Sequence, residues 1–151
     1  MAVFEASVPL NSGIDEVFEF LLRPANVQQI SHPDMGLSYV NAPELVAVGV
    51  RIDFKVQSMG IVQELSHEIT VVEAPHRILE KQIAGPLQLW IHDHLFEATP
   101  EGGVRVIDRI EFEPPSGLAG LLVTEDRIRS SLEDGFDHRY LQLETLFGKV
   151  E

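Results

Sequence analysis

The chain of 151 residues has a formal net charge of −13 at pH 7, 44% hydrophobic residues and no cysteine. The length and the hydrophobic content fit one domain with a sizeable core, the lack of cysteine excludes a disulfide framework and a cysteine-based zinc site, and the acidic charge argues against nucleic-acid binding. No apolar run approaches the ~18 residues of a membrane span. Because the N-terminus also lacks the pattern of a signal peptide, we expect a cytoplasmic protein.

The first predicted elements are a strand and an amphipathic helix. Residues 3–8 alternate weakly in polarity before Pro9 ends the strand. The helix has an apolar stripe at the spacing of one helical face, formed by Ile14, Val17, Phe18, Leu21 and Leu22. Pro24 ends this helix, because the residue before a proline disfavours the α conformation. Residues 25–30 then predict one further short helix.

Six predicted strands follow, and turn residues separate them. The strands cover residues 37–40, 49–58, 61–73, 78–83, 88–97 and 104–113. Proline, glycine and asparagine favour turns at residues 41–44, at Met59-Gly60, at Ala74-Pro75 and at residues 100–103. Runs of strands kept apart from helices indicate an α+β protein with an antiparallel sheet.

The inward face of the strand over residues 78–83 is ambiguous. Ile78, Glu80 and Gln82 share one face, and alternation alone does not decide whether that face points inward. If it does, Glu80 and Gln82 are polar wall residues; if not, they lie on the surface. His67, on the preceding strand, shares its parity with apolar residues and is predicted to be a satisfied core histidine.

The last two predicted strands form a hairpin with polar groups among its apolar residues. One face of the first strand contains Trp90, His92, His94 and Phe96. One face of the second strand contains Val104, Val106, Asp108, Ile110 and Phe112. A loop centred between Pro100 and Glu101 or close by, here on Pro100, places Phe96 opposite Val104, His94 opposite Val106, and His92 opposite Asp108. Because buried imidazoles and carboxylates are costly unless they are paired, this face is the first candidate for a functional site.

A long helix is predicted after the hairpin, from about Thr124 to Gly148. Its apolar stripe is formed by Ile128, Leu132, Phe136, Tyr140, Leu143 and Phe147. A curved sheet wrapped on this helix leaves a space between the two, and such cavities are where ligands bind. His138 and Arg139 lie near the face that reaches this space, but a solvated position is predicted for both.

A set of short motifs runs through nearly the whole chain. The set comprises Val17-Phe18-x-Phe20 with Pro24 and Asn26, Glu73-x-Pro75-x-Arg77, Gly85-Pro86, Trp90-x-His92-x-His94-x-Phe96, Gly102-Gly103 before Asp108-Arg109, Glu113-Pro114-Pro115 and Leu146-Phe147-Gly148. In this order the motifs resemble the START/birch-pollen-allergen (SRPBCC) superfamily. Within it the chain is most similar to small bacterial polyketide cyclase/dehydrase-like and ligand-binding proteins.

This resemblance implies a helix-grip fold. In that fold a curved antiparallel sheet of about six or seven strands wraps on a long C-terminal helix, and one or two short helices follow the first strand. The resemblance further implies a single START-like ligand-binding domain over residues 1–151, with a hydrophobic cavity between the sheet and the C-terminal helix. We expect no cofactor, and either a monomer or a homodimer.

The predicted function is the binding or transport of a small hydrophobic or amphipathic ligand in that cavity. The predicted ligand contacts are Trp90, His92, His94, Phe96, Asp108, Phe112, Phe136 and Tyr140. One alternative is a cyclase or dehydratase in which His92 or His94, oriented by Asp108, acts as general acid or base. Another is a non-catalytic interaction module whose cavity is filled by large side chains. In the plainest alternative, the imidazoles and the carboxylate only satisfy one another in the core.

The His92-x-His94 pair is also a candidate metal site. Two imidazoles on one strand face are typical of metal-binding proteins, and Asp108 or Glu80 can complete such a site. Because the superfamily that the chain resembles does not usually need a metal, the sequence-based prediction is no metal.

Overall fold

The computed structural model describes residues 1–58 and 60–151. The strands are β1 (Ala2–Leu10), β2 (Ser38–Asn41), β3 (Arg51–Ser58), β4 (Ile61–Glu73), β5 (Arg77–Ala84), β6 (Leu89–Ala98) and β7 (Val104–Glu113). The helices are α1 (Ile14–Leu21), α2 (Pro24–Ile30), α3 (Ala119–Leu122) and α4 (Glu125–Phe147), with one 3-10 turn at Pro33–Met35. Of the predicted turn at Met59-Gly60, only Gly60 is described, because Met59 lies outside the described residues.

The described strands form one seven-stranded antiparallel sheet in the order β1-β7-β6-β5-β4-β3-β2. β1 and β2 are the two edges, so α1 and α2 connect opposite edges of the sheet. The register of β4 against β5 shifts at Ser66/His67 and again at Ile69/Val71, and such irregularities bend a strand. The predicted α+β helix-grip fold is confirmed.

The long helix α4 begins and ends at the predicted residues. The Thr124 side chain accepts a hydrogen bond from the backbone N–H of Arg127 at 3.3 Å, which caps the first turn. Gly148 follows the last turn with φ 94°, a conformation that favours glycine. No helix among the described residues is long and apolar enough to cross a membrane.

α4 packs on two apolar clusters of the core. Phe136 lies in one cluster with Phe4, and Leu143 lies in the other with Phe18. Tyr140 packs against both clusters. The polar end of this tyrosine therefore enters the protein between two apolar regions, where an unpaired hydroxyl would be costly.

The predicted register of the β6–β7 hairpin was wrong by two residues. His94 is opposite Asp108, His92 is opposite Ile110, and Phe96 is opposite Val106. The loop is centred on Glu101, because Ala98 pairs with Val104 and the Thr99 N–H donates to the Gly103 carbonyl at 3.0 Å. The strand direction and the inward face were nevertheless predicted, since a slip of two residues keeps every side chain on the same face.

Candidate functional site

Six polar side chains from five elements meet between the sheet and α4. These residues, which we call the histidine–carboxylate cluster, are His67 (β4), Glu80 (β5), His92 and His94 (β6), Asp108 (β7) and Tyr140 (α4). Their contacts settle the ambiguous strand, because the face of β5 that contains Glu80 points inward to the histidines. Asp108 is the most deeply buried member, with 1% of its surface exposed.

Asp108 joins the sheet to the long helix. Its Oδ1 lies 2.7 Å from His92 Nε2, and its Oδ2 accepts a hydrogen bond from the Tyr140 hydroxyl at 2.6 Å. His94 Nδ1 lies 3.4 Å from the same Oδ1. Both carboxylate oxygens are thus paired, which offsets the cost of burying this charge.

Glu80 contacts all three histidines of the cluster. Its Oε1 lies 2.8 Å from His94 Nε2 and 3.5 Å from His92 Nδ1, and its Oε2 lies 3.0 Å from His67 Nδ1. The rings of His92 and His94 are stacked, with centroids 3.6 Å apart. Two carboxylates therefore hold the stacked imidazoles between them, one on β5 and one on β7.

Both carboxylates of the cluster are ionised at neutral pH. Burial acts to raise the pKa of Asp108, but the hydrogen bond from His92 and the neighbouring charge of Arg139 outweigh burial and hold this pKa far below its usual value. Burial also acts to raise the pKa of Glu80, yet the hydrogen bonds from His67 and His94 hold it well below the usual value. Hydrogen bonds from the histidines, together with the charge of Arg139 near Asp108, consequently stabilise the two buried negative charges.

Burial lowers the pKa of His92 but raises the pKa of Tyr140. Burial, and after it the charge of His94, lowers the pKa of His92 to about 4, so its ring is neutral at neutral pH. Burial, and after it the charge of Asp108, raises the pKa of Tyr140, so its hydroxyl keeps its proton and donates.

A cavity of about 70 Å³ adjoins the cluster. Its apolar wall consists of Leu21, Pro24, Val27, Val46, Ile52, Ile69 and Ile78, from the helices, the strands and the loop between β2 and β3. Its polar wall consists of Tyr39, Glu80, His94 and Arg139. A cavity with one apolar and one polar side suits an amphipathic occupant.

Arg139 was predicted to be solvated, and this prediction was wrong. Its side chain lies over the ring of Phe136, with 5.5 Å from the guanidinium carbon to the ring centroid, and reaches the cavity wall. The Nε of Arg139 is buried and has no hydrogen-bond partner among the described residues. Sequence reasoning missed it because position 139 lies beside the apolar stripe of α4, where an arginine normally faces water.

A surface cleft of about 300 Å³ lies next to the cavity. It is lined by Pro24, Ala25, Gln28, Tyr39, Val40, Ala42 and Pro43. Pro24 and Tyr39 belong to both linings, so the cleft and the cavity adjoin at these two side chains.

The eight residues predicted to contact a ligand lie in different parts of the structure. Of the eight residues, His94 lies in the cavity wall. Phe96 packs edge-on against Phe18 with centroids 5.0 Å apart, and Phe112 is fully buried beneath Arg129. The other five residues lie within or beside the histidine–carboxylate cluster: Trp90, His92, Asp108, Phe136 and Tyr140. A role in ligand binding stays a prediction for all eight.

Sequence reasoning missed most of the apolar wall. Val27 and Tyr39 come from segments where only a short helix and a short strand were predicted, and Ile52 and Ile69 come from strands with little alternation in polarity. Of these four residues, only Ile69 was predicted to lie on an inward face, the face that it shares with His67. Nothing in the sequence indicated that the four side chains line one cavity.

Comparisons with known proteins support the fold. No family model matches the chain, and no curated protein matches its sequence. Among solved structures, protein CV1439 from Chromobacterium violaceum is 11% identical and superposes with a TM-score of 0.73 over 99% of this chain and 100% of its own. Ginseng major latex-like protein 151 from Panax ginseng is 16% identical, with a TM-score of 0.71 over 97% of both chains.

Ara h 8.0201 is a third similar structure. It is 12% identical to this chain, with a TM-score of 0.65 over 96% of both chains. At these identities the likeness is one of fold alone. The chain therefore has the helix-grip fold that the motifs predicted, while the SRPBCC superfamily and its bacterial branch stay predictions.

Proposed function

We propose that the protein binds a small amphipathic molecule whose polar end lies in the cavity beside Arg139. The observation that supports this most directly is the mixed cavity wall, in which apolar side chains of the helices and strands meet the polar side chains of Glu80, His94 and Arg139. The domain over residues 1–151 is then a single ligand-binding domain, as the resemblance to START-like proteins implies.

The size of the cavity limits which part of the ligand it holds. Ligand sites usually measure about 300–1,000 Å³. The cavity, at about 70 Å³, is well below that range. A water molecule occupies about 30 Å³ in the liquid, so the cavity has room for a polar group of two or three heavy atoms. The rest of the ligand is assigned to the adjoining cleft of about 300 Å³, which meets the cavity at Pro24 and Tyr39.

The chemistry of the polar end follows from Arg139. Its buried Nε–H has no acceptor among the described residues, and an unpaired buried donor favours a ligand that supplies an acceptor. A carboxylate, sulfonate or phenolate group supplies both an acceptor and a negative charge. The proposed ligand class is therefore a small apolar acid.

The geometry gives less support to the cyclase or dehydratase. A general base needs a free ring nitrogen that faces the substrate. Both ring nitrogens of His92 and both of His94 face a carboxylate oxygen of Glu80 or Asp108, at 2.7–3.5 Å. Catalysis by these histidines would require one of these contacts to break first.

The first experiment is native mass spectrometry of the purified protein beside its denatured mass, with organic extraction of whatever dissociates. A stoichiometric apolar acid is the expected companion. If the protein carries none, titration with anilinonaphthalene sulfonate, a fluorescent apolar acid, tests the site directly. Absence of binding in both experiments would contradict the proposal and favour the interaction module with a filled cavity.

A matched pair of variants locates the binding. Ala25→Trp places a large side chain in the cleft, whereas Ala47→Trp places the same side chain on an exposed position outside both linings. We expect Ala25→Trp to weaken binding of the probe by about tenfold or more, which corresponds to about 1.4 kcal/mol, and Ala47→Trp to leave it unchanged. Equal effects of the two substitutions would show that the probe binds elsewhere.

A further inference from the structure

We propose that Glu80, His92 and His94 bind a divalent transition-metal ion such as Zn²⁺. Glu80 and His94 also belong to the wall of the cavity, but ion binding is measured on the protein alone and so tests this proposal separately from the amphipathic ligand.

The three side chains are already arranged at close to metal-binding distances. Each offers one ligand atom, and these atoms all lie within 4.8 Å of one another. In a tetrahedral zinc site with bonds of about 2.0–2.1 Å, neighbouring ligand atoms lie about 3.3–3.4 Å apart. Glu80 Oε1 and His92 Nδ1 are 3.5 Å apart, close to that spacing. Glu80 Oε1 and His94 Nε2, at 2.8 Å, would separate by about half an ångström around an ion.

The secondary structure explains this arrangement. His92 and His94 are two residues apart on β6, so both side chains leave the same face of the sheet. Glu80 is the register partner of His92 on the neighbouring strand β5. The stacking of the two rings aligns them side by side toward this one carboxylate. All three ligands thus come from adjacent, hydrogen-bonded strands rather than from loops.

The outer contacts of the three ligands are those of a metal site. A histidine that binds a metal almost always donates its other ring N–H to a carboxylate, a carbonyl or water, which orients the ring. The other ring nitrogen of His92 lies 2.7 Å from Asp108, and that of His94 lies 3.4 Å from it. The second oxygen of Glu80 lies 3.0 Å from His67 Nδ1. Asp108 and His67 are therefore positioning residues, and Glu80 is the ligand.

The donor set selects the class of ion. Two imidazole nitrogens and one carboxylate oxygen suit Zn²⁺ and other first-row transition ions, whereas Ca²⁺ and Mg²⁺ prefer oxygen ligands alone. Glu80 and His94 also belong to the wall of the cavity. Three protein ligands beside a cavity leave a coordination position for water, as in open zinc sites rather than closed structural ones.

The test is calorimetric titration of the chelator-stripped protein with Zn²⁺ at neutral pH. We expect one ion per chain. Glu80→Gln keeps the size of the side chain but removes its charge, and we expect it and His94→Gln each to weaken Zn²⁺ binding by about 100-fold or more. Asp108→Asn, which alters an outer contact, should weaken it by about 10–100-fold.

The control addresses the other close pair of histidines. The rings of His32 and His138 lie 4.9 Å apart and neither residue belongs to the cluster, so this pair controls for adventitious Zn²⁺ binding. His138→Gln should leave the affinity unchanged. Loss of binding in His138→Gln together with full binding in Glu80→Gln would overturn the proposal.

A spectroscopic measurement covers the case in which a buried variant does not fold. Near-ultraviolet circular dichroism identifies such variants. Co²⁺ bound to the wild-type protein should then give the intense visible absorption of a four- or five-coordinate site, and Zn²⁺ should displace it with one equivalent. Failure of the folded wild-type protein to bind one equivalent of either ion overturns the proposal without any variant.

Discussion

His92 Nε2 lies 2.7 Å from Asp108 Oδ1, although the two residues are not opposite each other in the sheet. The register partner of Asp108 is His94. Asp108 therefore reaches the more distant histidine diagonally across β6 and β7, a span that long side chains can bridge. Because Tyr140 of α4 also donates to Asp108, this one carboxylate couples the hairpin to the long helix.

Tyr140→Phe should lower the free energy of unfolding by about 1.5–3 kcal/mol, the usual loss for a hydrogen bond to a charged group. The substitution removes the hydroxyl that donates to Asp108 and leaves the ring in place. Urea unfolding at neutral pH measures the change.

The matched control for this prediction is Tyr39→Phe. Tyr39 is the only other tyrosine of the chain, and no hydrogen bond of its hydroxyl is found among the described residues. We expect the control to change stability by less than about 0.5 kcal/mol. If both variants lower the free energy of unfolding by the same amount, the loss in Tyr140→Phe cannot be assigned to the hydrogen bond with Asp108.

Arg139→Met should weaken the binding of anilinonaphthalene sulfonate by about tenfold, because the sulfonate loses the buried guanidinium donor. Arg129→Met is the matched control, since Arg129 is also on α4 and also lies over a phenylalanine ring, that of Phe112 at 5.8 Å. Fluorescence titration measures both affinities. A similar loss in the two variants would assign the effect to overall charge rather than to the cavity.

Asp53→Asn should lower stability at neutral pH but not in acid. The hydrogen bond from Ser66 and then that from Arg51, at 2.5 and 2.8 Å, hold the pKa of Asp53 below its usual value. Because the folded-state pKa lies below the unfolded-state value of about 3.9, the carboxylate stabilises the fold above that pH, and the contribution disappears as pH falls through the folded-state pKa.

Thermal unfolding of the wild type and Asp53→Asn between neutral pH and about pH 2.5 checks this, because that range runs from well above to well below the unfolded-state pKa of about 3.9. The difference between the two melting temperatures should shrink as the pH falls. Asp137→Asn on the exposed side of α4 controls for the loss of one negative charge. A difference that stays constant across the whole range would contradict the assignment to the carboxylate.

Zn²⁺ should stabilise the chelator-stripped protein if the proposed metal site exists. A free concentration of about 100 times the dissociation constant adds about 2.7 kcal/mol to the free energy of unfolding. For a domain of this size, that corresponds to a rise in Tm of about 5–10 °C. Differential scanning calorimetry measures the shift. Glu80→Gln should show almost none of it, whereas His138→Gln should show all of it.

Local patterns were enough to predict the strands, the long helix α4 and the inward faces of β6 and β7. Alternation along β6 and β7 placed His92, His94 and Asp108 on one face, and that inference survived an error of two residues in the register. Helical spacing located α4, because an amphipathic helix has only one face that it can bury.

The same patterns did not predict how the faces meet. Glu80 had two equally possible orientations in a strand of mixed polarity, and Arg139 had the position of an ordinary surface residue. Neither residue has a local signal, because their environments are made by side chains distant in the chain, such as His67 for Glu80 and Asp108 for Arg139.

The sequence by itself determined the α+β fold, the order of the strands and helices, and the presence of buried imidazoles and a carboxylate on the inner face. Only the tertiary structure decided that Glu80 completes their hydrogen bonding, that Arg139 reaches the cavity, and that the cavity is about 70 Å³. The physical reason is the distance along the chain between the residues that determine each property. Periodicity reports which face of an element is buried, whereas cavity volume and ion pairing depend on the packing of elements that the chain brings together from far apart.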